Sequence, residues 1–513
     1  MGNNPRDAEI ELKFDGAEGF VLPDLRDLPG VTDVPQPQVH QLEAVYYDTP
    51  DYRLAANRHT LRRREGGHDA GWHLKRPRTD GFRDELQEPL GAPGEVPASL
   101  RRLVEVHTRG RELVPAVRLS TRRTATELRD AGGRVLAEIA QDDVTAELPA
   151  LDGRDGEVRR WSEIEAELVV GDLELLEAVR ARLLAAGARL SDSPSKLARA
   201  LGDRVPATPA PERVPGSAGE ALLAYLRDRV HDLQVQDPLV RVDAPDAVHQ
   251  MRVGCRRLRT VLAAFRPIVV PERSPGQGDE PDRIEPLRAE LKWLGEVLGG
   301  ARDSEVVRDR LLASVAAQPP ELVLGPVEAF LTETFSTRYR AAHEAVLETL
   351  QGPRYFALLD ALDALVSTPP AGPRAGDPAA KVLRKQLRRT YRRVERHVDE
   401  ARAAEGEHRG ELFHEVRKSA KRARYAGDAA SEVLGDQARG YAKAMKAVQE
   451  VLGDYQDGVV AGQELRALAV AAHLDGQNAF TYGRLHGLEQ AAGERALERF
   501  DDVWLEARRT RVK

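Results

Sequence analysis

Six residues near the start of the chain, Glu9-Ile10-Glu11-Leu12-Lys13-Phe14, set two acids and a base at a spacing of two. On a strand, Glu9, Glu11 and Lys13 share one face, and Ile10, Leu12 and Phe14 share the other. Steps of two or four return in strand-like runs at Arg62/Arg64, His73/Lys75, Arg83/Glu85, Glu138/Asp142 and Glu163/Glu165/Glu167. Carboxylates in such sets offer the hard oxygen ligands that Mg2+ or Mn2+ takes. Arginine offers paired donors that suit phosphate oxygens. Metal-assisted phosphoryl transfer to water is one chemistry that explains both on one surface. For any single pair, a solvent-facing cross-strand ion pair is the plain alternative. Several strands with one charged face each suggest instead a closed sheet whose interior holds ligand and ions.

Strands must position those faces, and residues 8 to about 170 read mainly as strands with short turns. Asp130-Ala131-Gly132-Gly133 between two alternating runs is a hairpin signal. Leu173 to Leu184 has a helical pattern and could cover the apolar face that Ile10 and Leu12 begin. Along this region Glu-x-Glu-x-Lys is followed in order by Tyr46-Tyr47-Asp48-Thr49-Pro50, Leu61-Arg62-Arg63-Arg64 and Leu74-Lys75-Arg76-Pro77. Glu138 through Val144, Glu163-Ile164-Glu165-Ala166-Glu167 and Ser195-Lys196 complete the series.

This ordered series resembles the CYTH family, the triphosphate tunnel metalloenzymes. The resemblance implies an α+β domain over residues 5–204, built on an antiparallel eight-stranded β tunnel with helices. It implies triphosphate held by Arg62, Arg64, Lys75, Lys196 and one of Arg122 and Arg123, with strand parity favouring Arg123. Mg2+ or Mn2+ is expected on Glu9, Glu11, Glu163, Glu165 and Glu167, with Glu138 and Asp142 as further ligands. Glu9, Glu11, Lys13 and Lys75 are the expected catalytic residues. The family includes inorganic, thiamine and RNA triphosphatases and a class of adenylyl cyclase. The arrangement of this chain most resembles the inorganic triphosphatases. The competing readings are a thiamine triphosphate or ATP enzyme, and a non-catalytic protein that captures polyphosphate and targets its granules.

At 513 residues the chain is too long for one core. Net charge is -7, from 76 basic and 83 acidic residues, so any polyanion site must come from local clustering. The single cysteine, Cys255, excludes a disulfide within the chain and makes a reducing cytoplasm the expected location, in contact with polyphosphate granules if such a polymer is bound. Neither a signal peptide nor a membrane span is expected, since no apolar run is long enough.

Val205 to Gly219 is rich in Pro, Ala and Gly and reads as a linker, centred on 205–216. Beyond it the sequence is helical in pattern, interrupted by Pro267 to Pro286 and Thr368 to Pro378. Its halves, about 217–367 and 379–508, repeat each other. His249-x-x-Arg252-x-x-x-Arg256-Arg257-x-Arg259 is matched by His414-x-x-Arg417-x-x-x-Lys421-Arg422-x-Arg424. Leu298-Gly299-x-x-x-Asp303 is matched by Leu452-Gly453-x-x-x-Asp457. Duplicated helical bundles with pseudo-twofold symmetry follow. At about 100° per residue, His249, Arg252, Arg256 and Arg259 lie in one stripe, opposite Met251, Leu258, Leu262 and Phe265. Like charges at this spacing repel unless a polyanion neutralises them. Lys381 to Arg396 adds a further basic helix, for which a solvated face is an equal alternative.

The stripes resemble the CHAD domain, an all-α module that often follows CYTH, here over 217–508. The resemblance implies long-chain polyphosphate bound in a basic channel between the halves. Its residues would be His249, Arg252, Arg256, Arg257, Arg259, Lys292 and Arg302, with His414, Arg417, Lys418, Lys421, Arg422 and Arg424. Single-strand nucleic-acid binders place aromatic platforms beside their cations. The stripes contain none, which favours a polymer without bases.

Overall fold

The computed structural model describes residues 10–16, 19–67, 69–77, 83–92, 94–206, 214–271, 282–405 and 407–512. Glu9, residues 207–213 of the expected linker and 272–281 lie outside the described residues. The chain divides into two compact units, Met1–Thr208 and Pro209–Lys513. The architecture is α+β: an antiparallel sheet first, helices afterwards.

The first unit runs β1 (Glu11–Asp15), β2 (Gln38–Asp48), α1 (Arg53–Ala56), β3 (Thr60–Glu65), β4 (Gly71–Pro77), β5 (Arg83–Glu88), α2 (Ala98–Thr108) and β6 (Val114–Arg129). It continues with β7 (Val135–Leu148), β8 (Glu157–Leu168), α3 (Leu173–Ala185), β9 (Arg189–Leu190) and α4 (Lys196–Leu201). One sheet takes all the strands in the order β5-β4-β3-β2-β6-β7-β8-β1-β9. The expected closed, eight-stranded tunnel is therefore corrected. After α3 the chain returns to add a ninth strand on the free edge of β1, through Phe14↔Leu190 and Asp15↔Arg189. Among the described residues no pairing joins β5 to β9, so the order is open.

Register places the charged residues together. The pairs Lys13↔Glu165, Asp142↔Glu163, Arg123↔Asp142, Tyr46↔Arg62, Arg62↔His73 and Lys75↔Glu85 run strand to strand across the sheet. Cross-strand partners share a face and side chains alternate, so these residues occupy one side. The other side is apolar and carries two helices. Phe14, Ile139, Ile164 and Ala166 pack on Leu175, Leu176, Val179 and Leu183 of α3, the helix expected there. Tyr47, Leu61, Trp72 and Leu74 pack on Leu100, Leu103 and Val104 of α2. Leu12 joins the α3 core, whereas Ile10 precedes β1 and stays exposed. α4 lies instead on the charged side, where Leu197, Ala200 and Leu201 meet Leu119, Val144, Ala146 and Leu148.

The second unit runs α5 (Ala218–Arg241), α6 (Ala247–Ala264), α7 (Arg266–Val269), α8 (Ile284–Ala316), α9 (Val327–Leu350) and α10 (Pro353–Ser367). Its second half holds α11 (Ala379–Ala403), α12 (Glu407–Leu434), α13 (Asp436–Leu474) and α14 (Phe480–Arg509). Successive packing of α5, α6, α8 and α9 is repeated by α11, α12, α13 and α14. Between the halves α5 meets α11, α6 meets α12 and α8 meets α13. Contact between equivalent helices is what a pseudo-twofold axis produces. Leu311, Phe335, Leu465 and Leu485 show how α8, α9, α13 and α14 share one core. No described helix is long and apolar enough to cross a membrane.

Asp48 anchors the turn between β2 and α1. Its buried carboxylate accepts the backbone N–H groups of Thr49 at 2.7 Å, Leu54 at 2.8 Å and Ala55 at 2.9 Å. Asp48→Ala leaves three donors without this acceptor. Urea unfolding of the full-length protein should show the variant less stable by about 1–3 kcal/mol, and an unchanged profile would mean that water replaces the carboxylate.

Candidate functional site

The charged side of the sheet carries two adjoining clusters. At the first, α4 delivers Lys196 from its opening turn. Ser195 caps that turn, its Oγ accepting from the Ala198 N–H at 3.1 Å, and the apolar residues behind Lys196 seat the helix. Lys196 Nζ lies 2.9 Å from Asp142, 2.7 Å from Glu163 and 2.8 Å from Glu165. Arg123 donates to both oxygens of Asp142, at 2.8 and 2.7 Å, and to Glu165 at 2.7 Å. Lys13 stands 3.2 Å from Glu11 and 3.2 Å from Glu165. Trp161 Nε1 donates to the second Glu163 oxygen at 2.6 Å.

Burial opposes charge on Lys13, Arg123, Glu165 and Lys196, and counter-charge prevails. Glu165 is held well below the usual carboxylate range by Lys196, Lys13 and Arg123, against the cost of burial. Lys196 is likewise pushed above a free lysine by Glu165, Asp142 and Glu163 although burial acts the other way. Arg122, the alternative to Arg123, points away and lies 3.9 Å from Asp143 at the surface. Glu138 and Glu167 face each other on the same side of the sheet, one step beyond the Ala140–Glu165 pair. Glu11, Asp142, Glu163 and Glu165 are hard oxygen donors whose chemistry suits Mg2+ or Mn2+. Among the described residues, no three such ligands converge as a ready cation cage. Their oxygens converge on Lys13, Arg123 and Lys196.

The second cluster sits on β3, β4 and β5. Glu85 is its hub, bonded to His73 Nδ1 at 2.7 Å and to Lys75 at 3.1 Å, with Arg62 at 4.0 Å. The Nε2 of His73 meets the Asp69 carbonyl at 2.7 Å, and Arg64 pairs with the Asp69 carboxylate. Arg64 also lies in the field of Arg62 and Arg123, which joins the two clusters electrostatically; burial and these cations lower its pKa. The Nε groups of Arg62 and Arg64 are buried and meet no acceptor among the described residues. Asp69 is the partner that strand parity did not single out; Glu85 carried a signal in its pairing with Arg83 in steps of two, but its role as hub did not show.

In the helical unit the two stripes converge. Met251, Leu258, Leu262 and Phe265 are buried behind the first, as the wheel requires. Lys421 on α12 lies among Arg256 and Arg252 of α6 and Arg417 and Arg424 of its own helix. Burial and these cations push its pKa down to about 6. His249 and His414 are also shifted down, first by burial and then by cations, Arg302 beside His249 and Lys418 beside His414. Buried Nε groups of Arg256, Arg257, Arg302 and Arg417 meet no acceptor among the described residues.

The repeated Leu-Gly-x-x-x-Asp now has a physical role. A Cβ at Gly299 would stand 3.5 Å from the Arg252 guanidinium, and one at Gly453 would stand 3.6 Å from that of Arg417. At these distances a Cβ would make ordinary van der Waals contact, so each arginine lies close over its glycine without requiring it. The aspartate one turn later answers its charge: Asp303 bonds Arg252 at 2.7 Å, and Asp457 lies in the field of Arg417. Not every expected residue joins the cluster. Lys292 and Lys418 are exposed, paired with Glu296 at 3.5 Å and Glu415 at 2.8 Å. Arg302 reaches Glu305 at 3.2 Å. Arg257 and Arg424 both lie over the buried Tyr425 ring, at 5.7 and 5.6 Å. That aromatic is buried beside guanidinium groups and presents no platform for a base.

A sheet with a mixed-charge face followed by a duplicated bundle with converging cations defines a two-module, anion-handling protein. Family models agree with that division: the CYTH domain matches residues 7–201 and the CHAD domain residues 224–466. Uncharacterized protein Rv2226 of Mycobacterium tuberculosis is 39% identical over 508 residues, spanning 97% of this chain and 95% of that protein. Among solved structures, PptA from Streptomyces chartreusis is 21% identical with a TM-score of 0.46, covering 56% of this chain and 99% of its own. The CHAD domain from the plant Ricinus communis is 27% identical with a TM-score of 0.44, covering 58% of this chain and 96% of its own. The chain belongs to the family in which a CYTH domain is followed by a CHAD domain. The CYTH family is a metal-dependent class of triphosphate tunnel enzymes.

The second cluster makes a pH prediction. Burial raises the pKa of Glu85, but the His73 hydrogen bond and the charges of Lys75 and Arg62 bring it down to about 2. A carboxylate depressed in the folded state stabilises the fold fully above its unfolded pKa of about 4.3 and loses that contribution as pH falls toward the folded value. Between pH 4.3 and 2 wild type should lose stability more steeply than Glu85→Gln, measured by urea unfolding across that range. Parallel profiles would show that Glu85 is not held by these cations.

Proposed function

We propose that this protein hydrolyses inorganic triphosphate on the charged face of its CYTH domain and binds long-chain polyphosphate through its CHAD domain. The observation that carries the reading is the pair of buried Nε groups on Arg62 and Arg64 that meet no acceptor among the described residues, beside a cluster of hard carboxylates. A chain of phosphates supplies acceptors to Arg62, Arg64 and Lys75 at one end and to Arg123 and Lys196 at the other. Arginine holds such oxygens in pairs, which fixes the substrate in position. Glu11, Glu163 and Glu165 would hold Mg2+ or Mn2+, with Glu9 contributing from outside the described residues. When bound, the ion neutralises phosphate charge and polarises the bond that water breaks. Lys13 and Lys196 would offer their ammonium groups to phosphate oxygens. Cytoplasmic location and contact with polyphosphate granules accord with this chemistry and belong to the same proposal.

A phosphate-release assay tests it, comparing tripolyphosphate, long-chain polyphosphate, ATP and thiamine triphosphate with Mg2+, with Mn2+ and with chelator. Tripolyphosphate should turn over fastest and chelator should stop it; preference for ATP or thiamine triphosphate would reassign the substrate, and no turnover would leave a binding protein. Arg64→Ala should lower kcat/KM for tripolyphosphate by about 100-fold, the loss expected for one transition-state donor. A change of less than about fivefold would make Arg64 a surface ion pair.

In the CHAD domain the sign of a pH effect follows from Lys421. Its folded pKa of about 6 means that the free protein leaves it uncharged at pH 8. A polyanion favours the ammonium, so binding takes up a proton, and affinity falls as pH rises above about 6. His249 and His414 act in the same direction, so the difference between wild type and Lys421→Met isolates the lysine. Polyphosphate affinity measured from pH 6 to 8 should fall less in the variant. Identical slopes would exclude proton uptake at Lys421.

A further inference from the structure

Helix α11 carries eight Lys and Arg residues between Lys381 and Arg396, with Glu395 the sole acid in that stretch. All eight are exposed. At about 100° per residue they span roughly half the helix circumference, over about 22 Å. The opposite half, from Leu383 to Val398, is buried against the bundle. Cations thus repeat at i,i+4 along the face and repel one another, with Glu400 beside Arg396 at 3.6 Å as a counter-charge at its end.

This face is not isolated from the stripes. Arg393 lies in the field of Arg422 on α12, and Arg422 lies in the fields of Arg259 on α6 and Arg288 on α8. Arg259 in turn lies in the field of Arg256. Positive charge therefore continues from the converged stripes onto the outer face of α11. Glu415 and Glu285 moderate it along the way, the first near Arg422 and the second paired with Arg288.

We propose that the exposed face of α11 is a second polyanion-binding surface, which takes the part of an inorganic polyphosphate chain that runs out past the stripes. It rests on the polyphosphate reading and extends it from one site to a track. The ligand class follows from what the face offers. It presents flexible cationic ends at regular spacing and no exposed ring, because Tyr391, the sole aromatic of the stretch, is buried and stacked on Trp504. Backbone phosphates are thus recognised and bases are not. A chain too short to leave the stripes gains nothing from α11; a long chain gains in affinity by engaging both.

The test uses the full-length protein with Lys381, Arg384, Lys385, Arg389 and Arg392 all changed to Gln, which keeps helix propensity while removing charge. A milder variant, Arg389→Gln with Arg392→Gln, guards against misfolding, and circular dichroism checks both. Long-chain polyphosphate should bind the five-site variant at least tenfold more weakly at 0.15 M salt. The log–log salt slope should become shallower by roughly 0.7 per phosphate no longer neutralised. Tripolyphosphate turnover should be unchanged, since none of these residues lies in the sheet. Normal wild-type binding with unchanged affinity and slope in the variants would overturn the α11 surface while leaving the polyphosphate reading intact. A wild-type protein that does not bind polyphosphate would overturn both. Tighter binding of single-stranded DNA than of polyphosphate, lost in the five-site variant, would reassign the surface to nucleic acid.

Discussion

One ammonium group, Lys196 Nζ, sits within hydrogen-bonding reach of three carboxylates from two neighbouring strands. Charges removed from water are tolerated when paired and bonded, and breaking such a pair leaves a buried charge exposed to the full cost of desolvation. Much of the first unit answers to that constraint. α4 must dock on the charged side of the sheet to bring Lys196 in. β7 and β8 must hold a register that presents Asp142, Glu163 and Glu165 together. Arg123 must come from the strand beyond to satisfy the oxygens that Lys196 does not reach. A slip of one residue on any of these strands would reverse its faces and break the set.

The helical unit meets the same problem with the opposite balance. There cations gather around one another, and burial with the neighbouring arginines lowers the pKa of Lys421 to about 6. The arginines around it are managed individually. Arg252 and Arg417 each lie against a glycine and face an aspartate one turn later, while Arg257 and Arg424 cover an aromatic ring. Such a site is held short of full neutrality. Electrostatics of this kind accord with the polyanion proposed as ligand, and they weaken with salt.

Duplication ties these local solutions together. Equivalent helices meet across the axis, so each stripe is set beside the other, and residues far apart in sequence, Arg256 and Lys421, share one field. The wheel places each stripe on its own helix. Convergence comes from the packing of α6 on α12.

The sequence by itself determined the two units, the strand-to-helix change, the faces of individual elements and the internal repeat, because these rest on periodicities of two and 3.6 that a chain carries locally. Parity alone favours Arg123 over Arg122, and spacing alone sets His249, Arg252 and Arg256 opposite the core. Tertiary structure decided what parity cannot express. Whether the sheet closes depends on which edges find partners, and the short strand at Arg189–Leu190 occupies an edge that local pattern left free. The partners of the charged residues were equally hidden. Glu85 as hub of His73, Lys75 and Arg62, and Asp142 as the shared acceptor of Arg123 and Lys196, depend on register between strands. The repeated glycines were visible as a pattern, but the arginine from another helix that lies over each of them was not. Side-chain facing is a property of one element, whereas charge pairing belongs to several, so the first can be read along the chain and the second is settled by packing.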